Sequence, residues 1–327
     1  MEQDISPKHQ LISLDHYDST CRFTLFTLTG PRQFKNLPDL GDERPVWLDI
    51  IRPTKQELDG LKERLSIHPL TLEDIQQSDD REKCEMFEDY LFLAVRTIDQ
   101  SGPAIIDEWG RQVPLPVNVY IIVFHNIDAI VTIHSSPLPH VPLLINRLDR
   151  DRRFSQLSAD WIMYGFLDAV VDEFMPGIKT LELESDSIED LVLVLSQSDR
   201  HEMLRRIAAA RKRANHFLRL LKPKQDLLKS LFKRHSNRLQ PHTVTYLRDI
   251  NDHVQLMVDI VEHANEALNR SHANYIGQIN IEMADFSNRM TWVINKLSAA
   301  AVLAVPLSLI TGMWGMNVPV PGQPGVH

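Results

Sequence analysis

LSAAAVLAVPLSLITGMWGM, residues 297–316, contains no charged side chain, and no Asp, Glu, Lys or Arg follows Lys296 anywhere in the sequence. At about 1.5 Å of rise per residue, a helix of this length crosses roughly 30 Å of hydrocarbon. The competing reading is a core helix buried in a soluble domain. Pro306 bears on the choice. In the interior of a soluble helix its missing N–H and its ring break the hydrogen-bond ladder, whereas a membrane span packed on neighbouring helices tolerates it.

Upstream of this run, Leu247, Ile250, Val254, Met257, Val261, Ala264 and Leu268 recur alternately three and four residues apart, as in a heptad seam. Tyr275, Ile279, Met283, Phe286, Met290 and Val293 continue it to Leu297. The pattern predicts one helix from about Thr243 into the membrane, on the order of 100 Å long. Such a helix cannot bury its apolar stripe alone. It needs a hairpin partner or copies of itself, and copies around a cyclic axis gather one membrane helix per subunit into a pore. Within the span, Ser298, Ala301, Val305, Ser308 and Gly312 form a small or weakly polar face, and Leu303, Leu307, Ile310 and Trp314 form a bulky one. Small faces serve close helix packing as well as pores, so periodicity leaves both open.

The remaining sequence divides by composition. CRFTLFTL, PVWLDI, YLFLAVRTI, VNVYIIVF and AIVTIH are rich in β-branched and aromatic residues and read as strands. TKQELDGLKERL reads as a helix opened by a Thr cap with Glu three residues on. The predicted fold class is therefore α+β, with an α/β sheet domain over 1–155. A helical hairpin follows over 156–240, then a stalk helix over 241–296, a transmembrane helix over 297–317 and a loop over 318–327. The first half of the hairpin is acidic, with Lys179 as its single basic residue between Asp160 and Asp199. The second half, from Arg205 to Arg238, is strongly basic, so the two faces attract each other or a neighbouring subunit.

Several function classes drop out. The net charge of -9 argues against a general nucleic-acid surface, and the basic helix lacks interleaved aromatics, so no nucleic-acid partner is expected. Cys21 and Cys84 support neither a disulfide framework nor a zinc site. His125, His134 and His140 show no metal-ligand spacing, and there is no GxSxG, phosphate loop or dinucleotide fingerprint. The chain does not read as an enzyme. Its N-terminus lacks a basic start and an apolar run, so the N-terminal domain is expected to stay cytosolic.

Gly315-Met316-Asn317 closes the charge-free run, preceded by Pro306-Leu307-Ser308, Thr311-Gly312 and Asn295-Lys296-Leu297-Ser298. This resembles the first transmembrane helix of the CorA family of magnesium channels, whose signature is Gly-Met-Asn. VWLDI (46–50), IHPLTLEDI (67–75), FEDYLFLAVR (87–96), YGFLDAVVDEFMP (164–176) and YLRDINDHV (246–254) follow the family in order. Further segments look most like its fungal, aluminium-resistance branch. The resemblance implies a funnel-shaped homopentamer in which a ring of Asn317, with Gly315 and Met316, meets hydrated Mg2+ at the outer mouth. It implies a pore descending past Gly312, Ser308, Val305, Ala301, Ser298 and Ile294 to Thr291. Many relatives have Asn where this chain has Thr291. It also implies that Glu73, Asp74, Asp168 and Asp249 bind regulatory Mg2+ between subunits, so that high internal Mg2+ holds the ring closed.

The family carries a second membrane helix soon after Gly-Met-Asn, and this sequence has none, so it reads as a truncated member. Two alternatives to Mg2+ influx accompany the resemblance: passage of Zn2+, Co2+ or Ni2+, or a non-conducting membrane-tethered oligomer that serves as a Mg2+ sensor or as a subunit assembling with full-length relatives and modulating them. The expected location is the plasma or vacuolar membrane.

Overall fold

The computed structural model describes residues 22–27, 30–38, 46–77, 81–98, 104–106, 112–144, 158–194, 200–235 and 238–315. It divides into two units, Met1–Ser187 with Ala208–Ala267 and Ile188–Ile207 with Leu268–His327.

The first unit is built on a seven-stranded mixed sheet of order β2-β1-β3-β9-β8-β5-β4. Its strands are β1 (Phe23–Thr27), β2 (Gly30–Phe34), β3 (Val46–Ile51), β4 (Lys83–Met86), β5 (Tyr90–Ile98), β8 (Pro116–Phe124) and β9 (Ala129–His134). A separate two-stranded ribbon pairs β6 (Ala104–Ile106) with β7 (Gln112–Pro114). Among the described strands only the central pair β3 and β9 is parallel, in the register Val46 to Ala129 through Ile51 to His134. Every residue of β3 and β9 is buried, the mark of a sheet covered on both faces.

One face packs on α1 (Lys55–Leu65) and α2 (Pro69–Gln77), where Leu58, Leu61, Leu72 and Ile75 meet Phe23, Leu48, Ile50, Phe92, Ile122 and Val131. Thr54 caps α1 as expected: its backbone N–H donates to Glu57 Oε2 at 2.7 Å, and Glu57 N–H donates back to Thr54 Oγ1 at 3.4 Å. The other face packs on α3 (Ala159–Asp172), with Phe166 edge-on to Trp47 at 6.4 Å. Ser158 caps α3, accepting from Trp161 N–H.

The acidic stretch forms two helices, α3 and α4 (Met175–Val194), broken at Glu173 and Phe174. The basic stretch is one helix, α5 (Arg200–His235). The expected attraction between them is present where Arg213 of α5 donates to Glu184 of α4. The last helix, α6 (Pro241–Trp314), runs 74 residues without interruption, through Pro306. In the first unit its seam is covered by the chain itself: Leu247, Ile250, Val254, Met257, Val261 and Ala264 are buried. There α5 and α6 are joined by Lys222 to Glu262 at 2.7 Å and by Gln225 to Gln255.

In the second unit Ile188, Val192, Met203, Ile207, Leu268 and Tyr275 are buried, and Arg270 Nε reaches Glu189 Oε1 at 3.4 Å. Beyond Tyr275 the same seam emerges, with Ile279 half-buried and Met283, Phe286, Met290, Val293 and Leu297 all exposed.

Candidate ion path and metal-binding side chains

Thr291, Ile294, Ser298, Ala301, Val305, Ser308 and Gly312 all lie on α6, alternately three and four residues apart, and so share one face. All seven are exposed in the single chain. Three hydroxyls on and beside this face bond within the helix: Thr291 Oγ1 donates to Ser287 O at 2.9 Å, Ser308 Oγ to Val305 O at 2.8 Å and Thr311 Oγ1 to Leu307 O at 3.1 Å. An unsatisfied hydroxyl in hydrocarbon is costly, so these bonds suit a helix entering a membrane.

A Cβ added at Gly312 would meet nothing within 4 Å, leaving that position open to a neighbouring helix or to solvent. Gly315 N–H donates to Thr311 O at 3.0 Å and ends the helix. Met316 and Asn317 lie outside the described residues.

The acidic candidates fall into two groups. Glu73 and Asp74 sit on α2. Glu73 accepts from Gln77 Nε2 at 2.8 Å, and Asp74 Oδ2 pairs with Lys83 Nζ of β4 at 2.5 Å. Asp168 of α3 is buried and meets Asp172, one turn on, and His253 of α6, with one ligand atom from each residue within 4.8 Å of the others. Asp249 lies one turn before His253 on α6, its Oδ2 3.9 Å from His253 Nε2. The fold thus brings Asp168 and Asp172 to His253, with Asp249 beside the imidazole but outside that group of three, which includes neither Glu73 nor Asp74.

Sequence reasoning named neither Asp172 nor His253 as a ligand. Each lies four residues after a named acid, and that i, i+4 spacing was the available signal.

Two carboxylates suit Mg2+, which takes oxygen ligands and keeps part of its hydration shell. An imidazole adds affinity for Zn2+, Co2+ and Ni2+.

His125, His134 and His140 each make a polar contact within the first unit. His134 Nε2 lies 2.9 Å from Asp49 Oδ1, which also accepts from Thr132 Oγ1 at 2.5 Å, and Thr132 Oγ1 in turn accepts from Trp47 Nε1 at 2.9 Å. Burial alone would lower the pKa of His134, but the charge of Asp49 and its hydrogen bond outweigh that and raise it. His140 Nε2 shares a hydrogen bond with Thr97 Oγ1 at 2.8 Å, and His125 Nδ1 lies 3.4 Å from Asp160 Oδ1. The carboxyl of Asp160 is raised by burial, against the opposing pull of His125.

A sheet domain covered on both faces, and a very long helix holding an 18-residue stretch of mean hydropathy 1.9 that no described residue buries, define a protein with one helix long and apolar enough to cross a membrane. The chain belongs to the CorA-like Mg2+ transporter protein family, whose family model matches residues 42–325.

Two Schizosaccharomyces pombe proteins named as metal ion transporters are 37% and 36% identical to it, each over 85% of this chain and over 45% and 34% of their own lengths. The magnesium transporter ALR2 of Saccharomyces cerevisiae is 30% identical over 87% of this chain and 38% of its own length. The chain therefore spans less than half the length of these fungal relatives. Among solved structures, the CorA magnesium transporter of Methanocaldococcus jannaschii shares the fold at a TM-score of 0.67 and 19% identity, covering 92% of this chain and 89% of its own. The full-length CmaX protein does so at 0.67 and 17%, covering 94% and 90%. Members of this family are transporters and channels rather than enzymes.

Proposed function

We propose that this chain is a subunit of a passive Mg2+ channel in the plasma or vacuolar membrane, assembled as a homopentamer with its sheet domain in the cytosol. The observation that carries the proposal is α6, whose seam is covered up to Tyr275 and bare from Met283 onward. A bare heptad seam running into a charge-free span is a surface for copies of the same helix. Five copies place Thr291, Ile294, Ser298, Ala301, Val305, Ser308 and Gly312 around one axis. The apolar members then form a constriction that gates by dewetting. Gly315, Met316 and Asn317 form the outer mouth, where the neutral amide of Asn317 binds the hydrated ion without trapping it.

Regulation is assigned to the acids. Asp168, Asp172 and His253, with Asp249 beside them, hold a partly hydrated divalent cation that neutralises their repulsion and favours the closed ring. Glu73 and Asp74 face a neighbouring subunit, and a cation binding at Asp74 competes with Lys83. The imidazole of His253 supports a second reading in which Co2+, Ni2+ or Zn2+ also act on this chain.

The test is Mg2+ entry into proteoliposomes followed with a Mg2+-sensitive dye, for this chain and for Asn317→Ala. Flux that the substitution abolishes supports the channel, and competing ions rank its selectivity. Absence of flux from correctly assembled oligomers refutes conduction by this chain.

A further inference from the structure

The stretch of α6 just before its charge-free run carries an unusual combination. Lys296 Nζ sits 3.6 Å above the ring centroid of Trp292, one turn earlier. The lysine side chain therefore runs back toward the N-terminal end of the helix, away from the apolar segment, as a snorkelling lysine does at a membrane surface. Trp292 is 59% exposed, so one face of the indole carries the ammonium and the rest of the ring is open.

Arg289 lies two turns before Lys296, about 10 Å along the axis and about 20° around it, so the two cations bracket the indole on one face. Arg289 is exposed and, among the described residues, has no ion pair. The nearest acid on the helix is Asp285, and none lies between residues 286 and 315.

A second observation fixes the depth. Trp314 is 57% exposed and lies 22 residues after Trp292, about 33 Å along the axis and about 40° around it. Two tryptophans on nearly the same face, separated by about the 30 Å thickness of a bilayer core, match the two aromatic belts of a membrane span.

We propose that Arg289, Trp292 and Lys296 form a binding element for the headgroup of an anionic phospholipid, in the leaflet through which α6 enters the membrane. The phosphate and carboxylate of phosphatidylserine complement the two cations. The indole holds the lysine in place by cation–π attraction and occupies the glycerol layer. This rests on the reading of residues 297–316 as a membrane span.

The experiment uses the full chain in vesicles containing acyl-brominated phosphatidylserine or acyl-brominated phosphatidylcholine. The Trp292 signal is the difference in fluorescence between the parent and Trp292→Phe, and the Trp314 signal is obtained likewise with Trp314→Phe. Quenching of Trp292 gives the association constant of phosphatidylserine relative to phosphatidylcholine. The expected preference is about fivefold for each cation. Lys296→Gln and Arg289→Gln each lower it about fivefold, whereas Lys296→Arg retains it. An equal association of both lipids with the parent, or a preference that survives Arg289→Gln/Lys296→Gln, overturns the proposal. If neither Trp292 nor Trp314 is quenched by either lipid, the span itself is not in the bilayer and both readings fall.

Discussion

Replacing Lys224 by Met isolates the energetics that hold α5 against the sheet. Lys224 Nζ lies 2.5 Å from Glu82 Oε1, with side-chain exposures of 3% and 1%. The same oxygen accepts from Arg96 N–H at 2.9 Å, the ammonium also donates to Leu220 O at 3.2 Å, and it sits 4.9 Å from the Phe174 ring centroid. Burial lowers the pKa of Lys224, and the attraction of Glu82 offsets only part of that, so the pair is held at a desolvation cost.

With Met at 224 the packing volume is largely kept, but the Glu82 carboxylate is left buried without its cation. Removing one partner of a pair this deeply buried costs about 3–5 kcal/mol. For a domain of this size that lowers the melting temperature by about 6–20 °C. Replacing both residues, Glu82→Leu with Lys224→Met, removes the stranded charge and returns stability to the parent value or up to about 4 kcal/mol above it. The assay is thermal unfolding of the full chain in detergent, followed by circular dichroism for the parent, both single variants and the double. A loss below about 1 kcal/mol in Lys224→Met, or a double variant no better than the worse single, would refute the account of a desolvated and mutually dependent pair.

Four further outcomes follow from the same structure. His134 has a pKa raised above its unfolded value of about 6.5, so its pairing with Asp49 stabilises fully below that value and the stabilisation is lost as pH rises through the folded pKa; the melting temperature should fall over that interval in the parent and lose this slope in His134→Gln. A Cβ at Gly177 would come within 2.8 Å of Phe217 Cζ, so Gly177→Ala forces that ring to shift and costs about 1–3 kcal/mol in denaturant titration. Thr54→Ala removes the capping box of α1 and costs about 1 kcal/mol by the same measurement. Addition of Mg2+ or Co2+ raises the melting temperature of the parent, and Asp172→Asn and His253→Ala each reduce that increment, with Co2+ affected more than Mg2+ by loss of the imidazole.

Much of this protein was legible from residue order alone. Local composition and period decide whether a segment forms a helix or a strand, so the β-branched and aromatic enrichment of VNVYIIVF and the three-four spacing from Leu247 to Leu297 each specified their element. The charge-free run and the heptad seam needed no partner to be recognised, since length and spacing are properties of the chain. Short edge and ribbon strands such as β4, β6 and β7 carry little periodicity of their own and form only because a neighbouring strand offers a ladder.

Tertiary structure alone decided three matters. It placed β3 beside β9 in parallel, which brings Asp49 to His134 across 85 positions of sequence. It joined Glu82 to Lys224 across 142 positions, and it brought His253 to Asp168 and Asp172. The physical reason is common to all three. Sequence spacing fixes which side chains share a face of one element, but a buried pair or a ligand set joins faces of different elements, and only the packing of the core determines which faces meet.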